Sequence, residues 1–363
     1  MRLLLSGYYG FGNLGDEALL DVMVEQMRRR FPDVVVEVLS AAPQATAARL
    51  NVEATQRWDM RAVRAAIVRA DVVVSGGGGL MQSSTSLRSL LYYAGIVREA
   101  IRLKKRTMIF AQSIGPLDLT GKMIVRRLCR GLDRATVRDA RSRTLLASLL
   151  PTTNVEQTAD PVFLYHGDEE VADLEREGLG SESGPFAVVA LRKSSGFAAG
   201  VPTIVRAVDR LADVYGIRSA FLVFAGASDA EVSTTVIRAC KSAPVLLPEL
   251  SLPTTAAIFR RAKIAIGMRL HALILAASAA IPFLAIPYDP KVTALTEDLD
   301  YPLRPLRQPG NPAPSPESTD MLVDEAIVRH DELSRFLTTR LDGVRRAAAR
   351  NFDVLGELLY TTP

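Results

Sequence analysis

Cysteine is scarce in this chain, and the two present, Cys129 and Cys240, lie far apart without CxxC spacing or a Cys/His cluster. That excludes a disulfide framework and a structural zinc site, and it fits a reducing compartment. Long apolar runs are also missing. The longest, Ala272 to Ile286, is interrupted by Ser278 and Pro282 and falls short of the ~20 residues a membrane-spanning helix needs. The start is apolar only over Leu3–Leu5 before Ser6 and Gly7, too short for a signal-peptide core. The expectation is a soluble, cytoplasmic protein. Charge of one sign is not in excess either: 44 Lys and Arg against 40 Asp and Glu leave a net +4. So small and dispersed a surplus gives no nucleic-acid footprint.

With 48% hydrophobic and 23% charged residues, the chain buries a core and is not disordered. Its 363 residues suggest about two domains at roughly 150 each. Short β-branched runs alternate with helical patterns in two series. Leu3–Ser6, Val34–Leu39, Asp71–Ser75, Arg106–Ala111 and Ala135–Arg138 read as buried strands of the first. Phe186–Leu191, Ser219–Phe224, Val245–Leu247, Lys263–Ile266 and Phe283–Ile286 form the second. Such alternation implies parallel sheets with crossover helices. The charged, Gly/Ser-containing stretch Gly167–Pro185 reads as the connection. The predicted domains are 1–170, 185–330 and a helix over 331–363, part of one helical segment from about Asp320 to Tyr360 that follows the proline loop Pro309–Pro316.

Three strand-loop-helix segments carry chemistry. After strand one, Gly7-Tyr-Tyr-Gly10-Phe-Gly12-Asn13-Leu-Gly15-Asp16-Glu17 contains the GxGxxG spacing of dinucleotide sites. Asp16 and Glu17 stand where a pyrophosphate needs a helix N-terminus free of carboxylates, and strand two ends Val38-Leu39-Ser40 without an acid for a ribose. A dehydrogenase is therefore disfavoured, and Asp16 reads equally as a helix N-cap or as a ligand for substrate. After the third strand, four glycines, Gly76 to Gly79, precede Gln82, Ser83, Ser84, Thr85 and Ser86. Backbone amides there approach a ligand without an intervening Cβ. In the second series, Gly267-Met-Arg269-Leu-His271 opens an apolar helix. An anion bound at that N-terminus favours the imidazolium, the form a general acid requires. Arg138, Arg192, Arg269 and Lys291 all follow strand ends, where open parallel sheets bind ligands.

These segments, with Ala111-Gln-Ser-Ile-Gly-Pro116, Val137-Arg-Asp139, Ala159-Asp-Pro161 and Tyr288-Asp-Pro-Lys291, resemble the polysaccharide pyruvyl transferases, the CsaB type in particular. The resemblance spans Gly7 to Lys291. It implies an α/β, GT-B-like fold of two Rossmann-like domains facing a cleft, with the C-terminal helix crossing back to the first. It further implies transfer of pyruvate from phosphoenolpyruvate onto a sugar as a cyclic ketal. In the CsaB type the acceptor is β-N-acetylmannosamine of a lipid-linked secondary cell-wall polymer precursor, and the pyruvylated polymer anchors S-layer proteins. The expected roles are His271 as general acid and Asp16 as hydrogen-bond acceptor and base toward the acceptor sugar. Arg138, Arg192 and Arg269 hold the donor's phosphate and carboxylate, with Lys291 as a further candidate, while Asn13, Gly77, Gly78 and Gln82 bind substrate. Neither metal nor cofactor is expected, phosphoenolpyruvate being a substrate, and a peripheral contact at the inner membrane face is expected through basic helices such as Val97–Arg106. Two positions depart from the family pattern: Ser83 stands where an Asp is usual, and Ser113 where a Gly is. Two rivals remain. One is a glycosyltransferase of the same fold that uses a nucleotide sugar, with the Glu249 region as the loose candidate for gripping a ribose. The other is a non-catalytic sugar-binding scaffold. The oligomeric state stays open.

Overall fold

The structure, a computed structural model, describes every residue except 85, 168–176, 180–183, 308–310, 312 and 361–363. Thr85, most of the Gly167–Pro185 connection and part of the proline loop thus lie outside the described residues. The chain divides into two compact units, Met1–Tyr165 with Gly343–Pro363, and His166–Asp342.

In the first unit, strands β1 (Arg2–Ser6), β2 (Val35–Ser40), β3 (Glu53–Gln56), β4 (Val72–Ser75), β5 (Arg106–Gln112), β6 (Arg134–Val137) and β7 (Asn154–Gln157) form a parallel sheet in the order β3-β2-β1-β4-β5-β6-β7. Leu3, Leu4, Leu5, Val72, Val73 and Val74 are all buried, as central parallel strands covered on both faces must be. The edge strands β3 and β7 escape the sequence reading because they are polar. Each is held by a single neighbour and by side chains such as Thr55, which donates to the buried Glu37 carboxylate at 2.7 Å.

Helices α1 (Leu14–Arg30), α2 (Pro43–Leu50), α3 (Met60–Arg69), α4 (Leu87–Arg102), α5 (Leu119–Leu128) and α6 (Ala140–Leu149) connect these strands. Asn13, Asp59, Ser86, Asp118 and Asp139 cap five of them, each side-chain oxygen accepting a first-turn backbone N–H that no helical carbonyl can reach. The helix expected over Val97–Arg106 is instead the end of α4, which stops at Arg102. Lys104 takes a left-handed conformation (φ 56°), and Arg106 already begins β5.

In the second unit, β8 (Phe186–Ala190), β9 (Arg218–Val223), β10 (Val245–Glu249), β11 (Ile264–Gly267) and β12 (Phe283–Ala285) pair in parallel in the order β10-β9-β8-β11-β12. Its helices are α7 (Phe197–Tyr215), α8 (Gly226–Ala239), α9 (Leu252–Arg261), α10 (Leu270–Ser278), α11 (Pro290–Asp298) and α12 (Pro316–Val328). The apolar helix α10 is buried over Leu270 and Ala272–Ala277, with His271 half-buried among them.

The helical segment predicted from Asp320 to Tyr360 is two helices, because α12 ends at Val328 and α13 (His330–Tyr360) follows. From Gly343 onward α13 belongs to the first unit. There the fully buried Phe352 meets Phe110 of β5 edge-on at 5.0 Å, and Asn351 accepts from the Thr158 hydroxyl at 2.7 Å while donating to the Ala159 carbonyl at 2.9 Å. Arg106 donates to the carbonyls of Leu358 and Leu359. Truncation of Phe352 to alanine is expected to cost about 3–5 kcal/mol, read as a lower urea midpoint. An unchanged midpoint would mean that this part of the helix does not hold the sheet.

Candidate functional site

Each sheet has one place where the winding reverses. Strand β1 lies between β2 and β4, and β8 lies between β9 and β11. The connections on either side leave in opposite directions there, which opens a crevice at the carboxyl ends of the strands. In the first unit the loops bordering that crevice are Gly7–Asn13 and Gly76–Ser86. In the second they are Arg192–Gly196 and Met268–Arg269.

The glycines of the first unit divide by role. A Cβ on Gly7 or Gly76 would run into the Tyr9 side chain, and one on Gly10 (φ 79°) would strike the Ser40 hydroxyl and the backbone of Ala42. These three serve internal packing. Gly77 abuts Leu19, and a Cβ on Gly78 would stand 3.2 Å from Asp16 Oδ1, so the second glycine loop makes room for the Asp16 carboxylate. The helix N-cap is Asn13, which accepts from the Gly15 N–H at 3.1 Å, and Asp16 sits in the first turn, half-buried. Burial first, then the nearby Asp16 charge, pushes the Tyr9 hydroxyl far above its ordinary value. Burial also raises the Glu17 carboxyl, and lifts that of Asp21 to about 6 against the pull of Arg49. Gln82 closes the glycine loop by donating to the Gly79 carbonyl at 2.9 Å.

Arg138, expected among the donor ligands, is buried in a network. Its Nε donates to the Ser113 hydroxyl at 2.7 Å and its Nη1 to Asp160 at 2.5 Å. Ser113 in turn donates to Asp139, the N-cap of α6, at 3.0 Å. The serine at 113 thus bridges the arginine and the cap. Ser83, the other departure, accepts from the Asp118 N–H at 2.9 Å and so fastens the loop to the start of α5.

In the second unit, Arg269 is clamped by the fully buried Asp229. Its Nε donates to Oδ2 at 2.9 Å and its Nη2 to Oδ1, while Asp229 also accepts from the Phe224 and Ala225 N–H groups. Arg269 is therefore the N-cap position that sets the start of α10, and His271 follows in that first turn. Arg192 is different. It is half-buried, donates to the Tyr288 hydroxyl at 2.9 Å and lies 5.1 Å over the Tyr288 ring, with no carboxylate partner among the described residues. Lys291 lies 5.8 Å from the same ring centroid, with Asp289 at 3.6 Å. A cavity of about 260 Å³ opens beside them, lined by Ser194, Ser195, Gly196, Met268, Tyr288 and Arg307. Tyr288, Arg307 and Asp229 had no role in the sequence reading. A buried Asp six residues past β9 and an arginine two residues after a proline carry no local signature, although Tyr288 stands beside the residues that do.

Among the described residues no three His, Cys, Asp or Glu side chains gather as metal ligands, and no helix is long and apolar enough to cross a membrane.

The model of the family described as polysaccharide pyruvyl transferase matches residues 13–290. No curated protein matches the sequence. Solved structures do match. A Staphylococcus aureus MnaA structure with UDP has a TM-score of 0.69 at 12% identity, covering 99% of this chain and 97% of that one. The UDP-GlcNAc 2-epimerase of Neisseria meningitidis bound to UDP-GlcNAc has a TM-score of 0.65 at 10% identity, over 98% and 100%. A UGT2 of Phytolacca americana complexed with UDP-2-fluoro-glucose and pterostilbene has 0.60 at 11%, over 98% and 99%. At such identities the likeness concerns the fold alone, and that fold is the GT-B-like α/β fold of UDP-sugar epimerases and glycosyltransferases.

The two kinds of arginine are separable by mutation. Asp229→Ala leaves Arg269 buried without its anion and is expected to cost about 3–5 kcal/mol in urea unfolding, whereas Arg192→Gln is expected to change stability by under about 1 kcal/mol. Equal losses would contradict the division into carboxylate-clamped and ring-stacked cations.

Proposed function

The chain belongs to the polysaccharide pyruvyl transferase family, and we propose that it moves pyruvate from phosphoenolpyruvate onto a saccharide as a cyclic ketal, releasing phosphate. The observation that carries this reading is His271 in the first turn of α10, at the reversal point of the second sheet, within the matched span and in the same unit as the Arg192–Tyr288–Lys291 group.

In this reading the second unit takes the donor. Arg192 and Lys291, gathered on Tyr288, meet its phosphate and carboxylate, and the α10 N-terminus adds a favourable field. Arg269 and Arg138, already paired with Asp229 and Asp160, position the loops. The His271 imidazolium gives its proton to the methylene carbon, which becomes the methyl group. The carbon bearing phosphate then turns oxocarbenium-like and accepts a sugar hydroxyl oxygen. Its bond to the phosphate oxygen breaks, a second hydroxyl closes the ketal, inorganic phosphate leaves with one of the two hydroxyl protons, and the other passes through Asp16 to solvent while His271 takes up a proton again. General acid catalysis supplies about 10²–10⁴-fold of the rate, with charge compensation supplying more.

The first unit takes the acceptor, with Asp16 accepting a hydrogen bond from a sugar hydroxyl and serving as its base. Asn13, Gly77, Gly78 and Gln82 shape the loops around that carboxylate. We assign the CsaB type of acceptor, β-N-acetylmannosamine on a lipid carrier at the inner membrane face. Helix α5 supports that location better than the end of α4. It exposes Leu119 and Met123 together with Lys122, Arg126 and Arg127, a mixture suited to an anionic lipid surface.

The nucleotide-sugar reading keeps one observation in its favour, since Glu249 ends β10 with its carboxylate beside Gly226. Phosphate release from phosphoenolpyruvate is measured with and without a β-N-acetylmannosaminyl acceptor, alongside UDP-sugars. Phosphate appearing only with acceptor is expected, and His271→Gln is expected to lower its rate by about 10²–10⁴-fold. UDP appearing instead, or an unimpaired His271→Gln variant, would overturn the reading.

A further inference from the structure

Within and beside the first glycine loop lies a group of aromatic rings to which the proposed reaction gives no role. Tyr8, Phe11 and Trp58 are all exposed, Trp58 by 62%. Tyr8 stacks on Phe11 with centroids 4.1 Å apart and planes 12° from parallel, and Phe11 meets Trp58 edge-on at 6.2 Å. Exposed aromatics clustered in this way mark an interaction site.

The rings are not free to collapse. Behind them Arg57, only 2% exposed, donates to the Gly7 carbonyl at 2.6 Å and to the Tyr93 hydroxyl at 3.0 Å. Its guanidinium lies 4.9 Å from the centroids of both Phe11 and Trp58 and 4.7 Å from that of Tyr92. A buried cation tied to the backbone thus holds the aromatic faces in place through their π systems. Its Nε is buried with no hydrogen-bond partner among the described residues.

The surrounding charge selects the occupant. Asp59, the N-cap of α3, follows Trp58 directly, and Asp16 and Glu17, the latter paired with Arg49, stand in the first turn of the helix that follows Phe11. Carboxylates beside a stacking surface disfavour nucleotide phosphates and anionic lipid headgroups. They suit a neutral ring with one C–H face and a rim of hydroxyl donors. We infer that Tyr8, Phe11 and Trp58 form a stacking subsite for a neutral pyranose ring of the acceptor, with Arg57 as the positioning residue. This rests on the reading of the first unit as the acceptor side.

Trp58 is the sole tryptophan of the chain, so its fluorescence reports on the subsite directly. The full chain is titrated, without phosphoenolpyruvate, with methyl β-N-acetylmannosaminide, with UDP, and with phosphatidylglycerol vesicles. A saturable change with the glycoside alone is expected, weakened about tenfold in Tyr8→Ala. In turnover, Trp58→Ala is expected to raise the acceptor KM about tenfold and leave the phosphoenolpyruvate KM unchanged, with Trp58→Phe restoring most of it. Both substituted side chains are exposed, so unaltered circular dichroism checks that the variants fold. A response to UDP or to vesicles without one to the glycoside overturns the subsite, as does an unchanged acceptor KM in Trp58→Ala. A glycoside response without phosphate release keeps the subsite and refutes pyruvyl transfer. Phosphate release with a silent Trp58 does the reverse.

Discussion

Everything functional in this protein hangs on the parallel pairing of β1 with β4 and of β8 with β11. Parallel strands cannot be joined by a tight turn, so each is followed by a loop and a helix. Where the order reverses, two such loops part from one another. The apolar runs Leu3–Leu5 and Val72–Val74 exist to bury that pairing, and Val188, Val189, Ile264 and Ile266 do the same in the second unit. Once the strands are in register, Asp16 and the glycine loop are brought together in one unit, and Arg192 and His271 leave adjacent strands in the other.

Buried carboxylates then separate two kinds of cation. Asp229 and Asp160 each take an arginine out of circulation, and each also fixes backbone, at Phe224–Ala225 and at Val162. A buried ion pair of this kind contributes more to the definition of a loop than to net stability. Arg192 instead rests on the face of Tyr288, an interaction that leaves its charge available to an anion. Nearness to a strand end shows where the arginines lie but not which of them meet a buried carboxylate.

The sequence discloses the central strands, because a β-branched run buried on both faces has no polar interruption. The edges β3 and β7 were illegible for the opposite reason, since Glu53–Gln56 and Asn154–Gln157 become strands only through a neighbour that local pattern does not contain. The break at Arg329 between α12 and α13 has no sequence signal, because neither glycine nor proline stands there. Asn13, expected to bind substrate, also caps α1, as polar residues at strand-helix junctions commonly do. The cage around Arg57 could not be read at all. Its rings come from the glycine loop, the end of β3 and α4, and only the fold assembles them.

The central claim is that the donor binds at the reversal point of the second sheet with its methylene carbon presented to His271. A crystal structure of the protein soaked with phosphoenolpyruvate tests this most directly. Phosphate and carboxylate are expected on Arg192 and Lys291, and the methylene carbon within about 3–3.5 Å of an imidazole nitrogen of His271. Phosphoenolpyruvate bound elsewhere, or bound there with the imidazole turned from the carbon, would contradict it.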